Sequence, residues 1–192
     1  MSTQPVTRLT VERYLEIERA AEFKSEYRNG AVNVIPHGGV SHAIIAAEVI
    51  ARIGQQLRGT RCFVTGSDLR VFCKPSGVLT YPDGVVVCEP RQFLDGEKDT
   101  LIDATVIVEV LSPSTRNYDR GEKFRYYRSL PSFSEYLLLA QDAIRAEHHV
   151  RQGDGSWVFR EFNGPDATVE LTSIGCRLQL GALYEHVEFE SV

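Results

Sequence analysis

Thr105-Val106-Ile107-Val108-Glu109-Val110-Leu111 is an apolar run interrupted once, by a carboxylate. Its length and its β-branched residues predict a strand covered on both faces. An ionised carboxylate left alone in such a place costs so much that it must be neutralised, paired with a cation or bound to a metal. A second acid, Asp83, stands in Tyr81-Pro82-Asp83-Gly84, directly ahead of the apolar run Val85-Val86-Val87-Cys88. The segment from Glu89 to Asp103 is short enough to make the two runs antiparallel neighbours, with both carboxylates near one end of a sheet. Paired carboxylates are hard oxygen donors suited to Mg²⁺ or Mn²⁺.

Upstream, residues 10 to 22 read as an amphipathic helix capped by Thr10, with Val11, Tyr14 and Leu15 facing a core and Glu18 at the same spacing. Asn29-Gly30 between Phe23-Lys24-Ser25-Glu26-Tyr27-Arg28 and Ala31-Val32-Asn33-Val34-Ile35 signals a type I′ hairpin that places Glu26 on a strand. Ser41 is the expected cap of a helix to about Leu57, with His42 in its first turn and Ala46, Val49, Ile50, Ile53 and Leu57 on a buried face. Three strands are expected over 61–65, 68–73 and 85–88.

Downstream, Ser112-Pro113-Ser114-Thr115-Arg116-Asn117 is a loop, and Asp119 caps a helix running to about Ser129, with Lys123, Tyr126, Tyr127 and Leu130 on one face. Strands follow over 135–139, 144–150 and 156–162, then one or two short strands and a helical turn near Leu183. Helices before and after a mixed set of strands predict an α/β or α+β fold, a sheet flanked by helices, in a single domain over 1–192.

With 192 residues, 43% hydrophobic and 24% charged, the composition is that of a soluble globular protein. No apolar run approaches the ~18 residues needed to span a bilayer, and Met1-Ser2-Thr3-Gln4-Pro5 lacks a signal pattern, so a cytoplasmic location is expected. Cys62, Cys73, Cys88 and Cys176 show no C-x-x-C spacing and read as reduced, packed thiols. The adjacent His148-His149 would point to opposite faces of a strand, which is no metal signature. A net charge of −5 repels nucleic acid at long range, so any such contact must be local. The segment from Arg116 to Arg128 carries a local balance of +3, with Arg116 and Arg120 as candidate phosphate contacts; a mixed solvated helix face explains it equally well.

If Lys123 reaches the carboxylates from its helix, its ammonium can orient a water and offset charge on a scissile phosphate. Pro82-Asp83, Glu109 and Lys123 then resemble the PD-(D/E)xK nuclease superfamily. The string Val108-Glu109-Val110-Leu111-Ser112-Pro113-Ser114-Thr115, with Asp119, Lys123, Tyr127 and Glu135-Tyr136, is similar to the Uma-type family of restriction-endonuclease-like proteins. Glu26-Tyr27, Gly30 and Ser41-His42 extend that likeness over roughly residues 10 to 140.

The resemblance implies a restriction-endonuclease-like mixed sheet and a Mg²⁺- or Mn²⁺-dependent endonuclease acting on DNA. It implies Asp83 and Glu109 as metal ligands, Lys123 as the water-orienting cation, and Glu26, His42 and Tyr127 in support. Enzymes of this kind that cut both strands often form two-fold homodimers. Two departures stand out: Leu111 occupies the position where the superfamily has its lysine, and Ala140 stands where the family usually has an aspartate, with Asp142 nearby.

Blander readings compete. Pro-Asp is most often only a turn. Glu109 and Lys123 can form a structural ion pair. Glu26 can face solvent, and His42 can serve its helix. A nuclease fold kept as a nucleic-acid-binding or oligomerisation module, or a phosphoesterase for a small substrate, fits the same residues.

Overall fold

The computed structural model describes residues 8–35 and 38–189; the Met1 to Pro5 stretch lies outside them. The chain runs α1 (Val11–Ala20), β1 (Ser25–Arg28), β2 (Ala31–Val34), α2 (Val40–Gln56), β3 (Cys62–Gly66), β4 (Arg70–Cys73), β5 (Val78–Thr80), β6 (Gly84–Cys88), β7 (Thr100–Leu101) and β8 (Val106–Leu111). Then come α3 (Arg116–Tyr118), a π-helical turn (Asp119–Lys123), α4 (Phe124–Tyr127), β9 (Glu135–Ala140), β10 (Arg145–Arg151), β11 (Trp157–Asn163), β12 (Thr168–Leu171), β13 (Cys176–Gln179) and α5 (Leu180–Leu183).

The strands form a six-stranded sheet in the order β11-β10-β9-β8-β6-β3, a five-stranded sheet in the order β2-β1-β5-β4-β7, and the ribbon β12-β13. β6 and β8 pair antiparallel, while β8 and β9 pair parallel, so the sheet is mixed and helices flank it. The α+β class expected from the order of elements is the observed one.

Strand periodicity explains how the six-stranded sheet is covered. Val106, Val108 and Val110 face one way and meet the buried Ile45, Val49 and Ile53 of α2. Ile107 and Leu111 face the other way, into a core shared with Val71 and Val78 of the five-stranded sheet and with Tyr127, Phe133 and Tyr136. Glu109 lies on this second face. The third cluster, Tyr14, Leu15, Tyr27, Phe72 and Leu79, seats α1 on the five-stranded sheet.

Several local expectations hold and several need correction. Thr10 caps α1 by accepting from the Arg13 amide at 3.2 Å, and Asn29 and Gly30 take the positive φ values, 48° and 95°, that their turn requires. α2 begins after Gly39, with no side-chain cap, so Ser41 lies inside the helix. Glu18 is buried with Tyr14 and Leu15 because the Ser25 amide and hydroxyl both donate to it. Asp119 is no cap: its helix starts at Arg116, and Asp119 opens the widened turn.

The thiol reading is half overturned. Cys73 and Cys176 are free and buried, but Cys62 and Cys88 form a disulfide. Their strands pair in a register that sets the two residues directly opposite each other, with Cα atoms 4.0 Å apart. Spacing along the chain does not reveal that register.

Candidate active site

Five elements converge beside the middle of β8. β8 supplies Glu109, the turn before β6 supplies Asp83, β1 supplies Glu26, α2 supplies His42, and the π-helical turn with α4 supplies Asp119, Lys123 and Tyr127. The antiparallel register Gly84↔Val108 brings Asp83 beside Glu109, and the Val110 amide donates to Asp83 Oδ2 at 2.7 Å. The wide turn keeps Asp119 and Lys123 both buried on the face toward β8.

Lys123 is the hub. Its Nζ donates to Glu109 Oε1 at 3.0 Å and lies 3.3 Å from Asp119 Oδ1 and 3.5 Å from Glu26 Oε1. Burial alone would discharge the ammonium, but Glu109, Glu26, Asp119 and Asp83 hold its pKa well above the ordinary lysine value. Burial pushes the Glu109 carboxyl well up, against the pull of Lys123, and the neighbouring acids Asp83 and Asp119 add to the rise. Asp119 is raised by burial too. Tyr127 donates to Glu109 Oε1 at 2.6 Å; burial and that carboxylate keep its phenol protonated.

The remaining partners hold the outer ring. The Glu26 carboxylate accepts from the Thr80 hydroxyl and, at 3.0 Å, from the Tyr118 hydroxyl. His42 Nε2 lies 3.2 Å from Asp83 Oδ2, and this hydrogen bond raises the imidazole pKa against burial. Two cations lie near the Tyr118 ring: Lys123 Nζ is 5.7 Å from its centre and Arg28 Cζ is 5.0 Å. Arg28, partly exposed, also reaches Glu122 at 3.4 Å.

Glu26, His42, Asp83, Glu109, Lys123 and Tyr127 are thus brought together. Of the two candidate phosphate contacts, Arg116 is exposed, whereas Arg120 is held by Glu147 in a bidentate pair at 2.6 to 3.0 Å and has little left for a phosphate. Leu111 is buried in the strand, and Lys123 fills the space beside Glu109 from the helix instead. Ala140 is buried and Asp142 exposed. Sequence reasoning missed Asp119 and Tyr118 as members of the cluster, although the i, i+4 spacing of Asp119 and Lys123 was a visible signal.

Four carboxylates against one lysine leave the cluster electron-rich, and its donors are oxygen atoms of the kind a small divalent cation takes. The buried Asp119 Oδ1 atom has only its 3.3 Å ion pair with Lys123 and no hydrogen bond, and the described hydrogen bonds to Asp83 and Glu109 fall on one oxygen of each. These residues fit a cation, although among the described residues no three His, Cys, Asp or Glu side chains are already gathered as ligands.

Comparison with known proteins gives a consistent picture. Residues 11–181 match the model of the Uma2 family, described as "Putative restriction endonuclease". An uncharacterized protein of Synechocystis sp. is 31% identical over 185 residues, covering 96% of each chain. A second uncharacterized protein of that organism is 30% identical over 164 residues, covering 85% of this chain and 93% of the relative. In fold, the chain is similar to the crystal structure of a protein from Anabaena variabilis titled a "putative nuclease belonging to DUF820", with a TM-score of 0.76, 19% identity, and coverage of 94% of this chain and 99% of that one.

Proposed function

This chain belongs to the Uma2 family, and on that footing we propose that it is a Mg²⁺- or Mn²⁺-dependent nuclease that hydrolyses phosphodiester bonds in DNA. The observation that carries the reading is the position of Lys123, 3.0 Å from Glu109 Oε1, which supplies from a helix the cation that Leu111 does not supply from the strand.

Asp83 and Glu109 are the residues to hold the metal, with Glu26 and Asp119 next to them. When bound, such an ion activates water and neutralises phosphate charge. Lys123, kept charged by its acids, orients the attacking water and offsets the charge that builds on the phosphate. Tyr127 fixes the Glu109 carboxylate through its 2.6 Å hydrogen bond, and Tyr118 does the same for Glu26. His42, bonded to Asp83 at the edge of the site, sets the orientation of that carboxylate.

The test is cleavage of supercoiled plasmid and of single-stranded DNA with Mg²⁺, with Mn²⁺ and with chelator, wild type beside Asp83→Ala. Cleavage that requires metal and vanishes in the variant supports the reading. A folded protein that binds neither ion in calorimetry at millimolar concentration and cuts nothing supports the rival, a nuclease fold kept as a binding module. The feature favouring that rival is that Lys123 is already engaged by three carboxylates.

A further inference from the structure

The sheet face that carries Glu109 continues past the site. Its cross-strand register places Ile107 opposite Tyr136, Tyr136 opposite His149, and His149 opposite Phe159. At the inner end of this row Tyr136 is fully buried and donates to the Asp119 carbonyl at 3.0 Å, in the backbone of the site's own wide turn. At the outer end, on the edge strand β11, Phe159 is 53% exposed.

Phe124 of α4, the residue after Lys123, joins the two ends. Its ring lies 5.4 Å from Tyr136 and nearly parallel to it, 4.4 Å from His149, and edge-on to Trp157 at 5.1 Å. His149 in turn lies 5.0 Å from Phe159. A ladder of aromatic rings therefore runs from the site's backbone to solvent. Three strand spacings of about 4.8 Å put its outer end about 14 Å from β8.

One unpaired cation stands beside the ladder. Arg128, the residue that closes α4, is exposed with no carboxylate in ion-pair range among the described residues, and its Cζ lies 4.9 Å from the Phe124 ring, whereas Arg125 lies against Tyr126, outside the ladder. Glu147, in the row next to the ladder, is neutralised by Arg120. Glu161 is the acid that faces the patch from β11. Burial keeps His149 toward its neutral form, which suits ring stacking.

We propose that Phe159 with His149 is a stacking platform for an unpaired nucleobase of the substrate strand, with Arg128 taking a flanking phosphate. This rests on the nuclease reading for the identity of the substrate and narrows it to DNA with a single-stranded portion. A duplex hides the faces of its bases, whereas an exposed ring that continues a row of rings carrying an unpaired arginine fits one that is unstacked. The distance to β8 is within the four or more nucleotides that a single-strand groove engages.

Trp157 is the only tryptophan of the chain and part of the ladder, so it reports on the platform. In chelator, a single-stranded oligodeoxynucleotide of about 12 nucleotides should quench Trp157 fluorescence. By polarisation of the labelled oligonucleotide, Phe159→Ala should weaken single-strand binding about tenfold and leave blunt duplex binding unchanged, while Phe159→Trp retains single-strand affinity. Phe159 is half exposed, so a melting curve is expected to show the alanine variant folded.

Wild-type single-strand affinity in Phe159→Ala, or an equal loss on duplex, overturns the proposal. So does a change confined to sedimentation, which would make the patch a self-association surface. The two readings fail separately. Absence of metal-dependent cleavage with the Phe159 effect intact removes the nuclease and leaves the platform; cleavage with a neutral Phe159→Ala removes only the platform.

Discussion

Glu109 and Glu135 are both buried carboxylates, on the parallel neighbours β8 and β9 of one sheet, and they face opposite sides of it. Glu135 is fully supplied. It accepts from His148 Nε2 at 2.6 Å and from the Ser173 amide at 2.5 Å, and although burial acts to raise its pKa, these partners lower it below the ordinary glutamate value. Glu109 shares one lysine with two other acids, stands near a fourth, and is raised. Both side chains are closed to solvent; Glu109 is the more strongly desolvated, and the balance of donors differs. A buried acid with complete partners holds a fold together, whereas one crowded by like charges has the electrostatics expected of the proposed metal site.

The sharpest way to break this contrast is to remove each acid and read both activity and stability. Asp83→Ala or Glu109→Gln should lower metal-dependent cleavage by about 10³-fold, roughly 4 kcal/mol of barrier, with urea unfolding midpoints near wild type. Retained cleavage in either variant removes the site assignment. Glu135→Ala should do the reverse, costing about 3 kcal/mol in urea unfolding because it strands His148 and the Ser173 amide in the interior. A loss below about 1 kcal/mol would mean that the pair contributes little net stability.

Metal should separate the two acids again. Mn²⁺ at about 100 times its Kd should stabilise the wild type by about 2.7 kcal/mol and Glu135→Gln by a similar increment, but not Glu109→Gln; a thermal shift titration reads this directly. Acid offers a smaller test. Because the folded-state pKa of Glu135 lies below its unfolded value, its contribution is present at neutral pH and is lost as pH falls below the ordinary carboxylate range. Glu135→Gln should flatten the acid limb of the stability profile, and an unchanged limb would contradict the assignment. Smallest is the rim: Arg28→Met should reduce the magnitude of the log-log salt slope of DNA binding in chelator by about 0.9 on duplex or about 0.7 on single strands, one phosphate contact, and an unaltered slope would leave Arg28 outside the substrate path.

Much of this was legible along the chain because it is periodic or local. The strand containing Glu109, the Asn29-Gly30 hairpin and the Thr10 cap all follow from neighbours within a few residues. β5 and β7 were not foreseen because strands of three and two residues show no alternation. Glu135 and Glu109 look alike in sequence, since the donors that distinguish them, His148 and Ser173 against Lys123 and Tyr127, come from distant elements. Arg120 looked available because Glu147, its partner, lies two strands away in the chain. The family likeness pointed to Lys123 on its helix and the i, i+4 spacing put Asp119 within its reach, but the widening of the turn itself has no signature in composition.

The bond between Cys62 and Cys88 makes a covalent ring of the chain between them. That ring leaves the six-stranded sheet after β3, contributes β4 and β5 to the other sheet, passes Pro82-Asp83 and returns along β6. In the chain-entropy view, closing it restricts the unfolded chain by about 3.5 kcal/mol. A protease nick anywhere inside the ring would leave both fragments tethered, so the nicked and intact proteins would run alike on a gel until a reductant separated them.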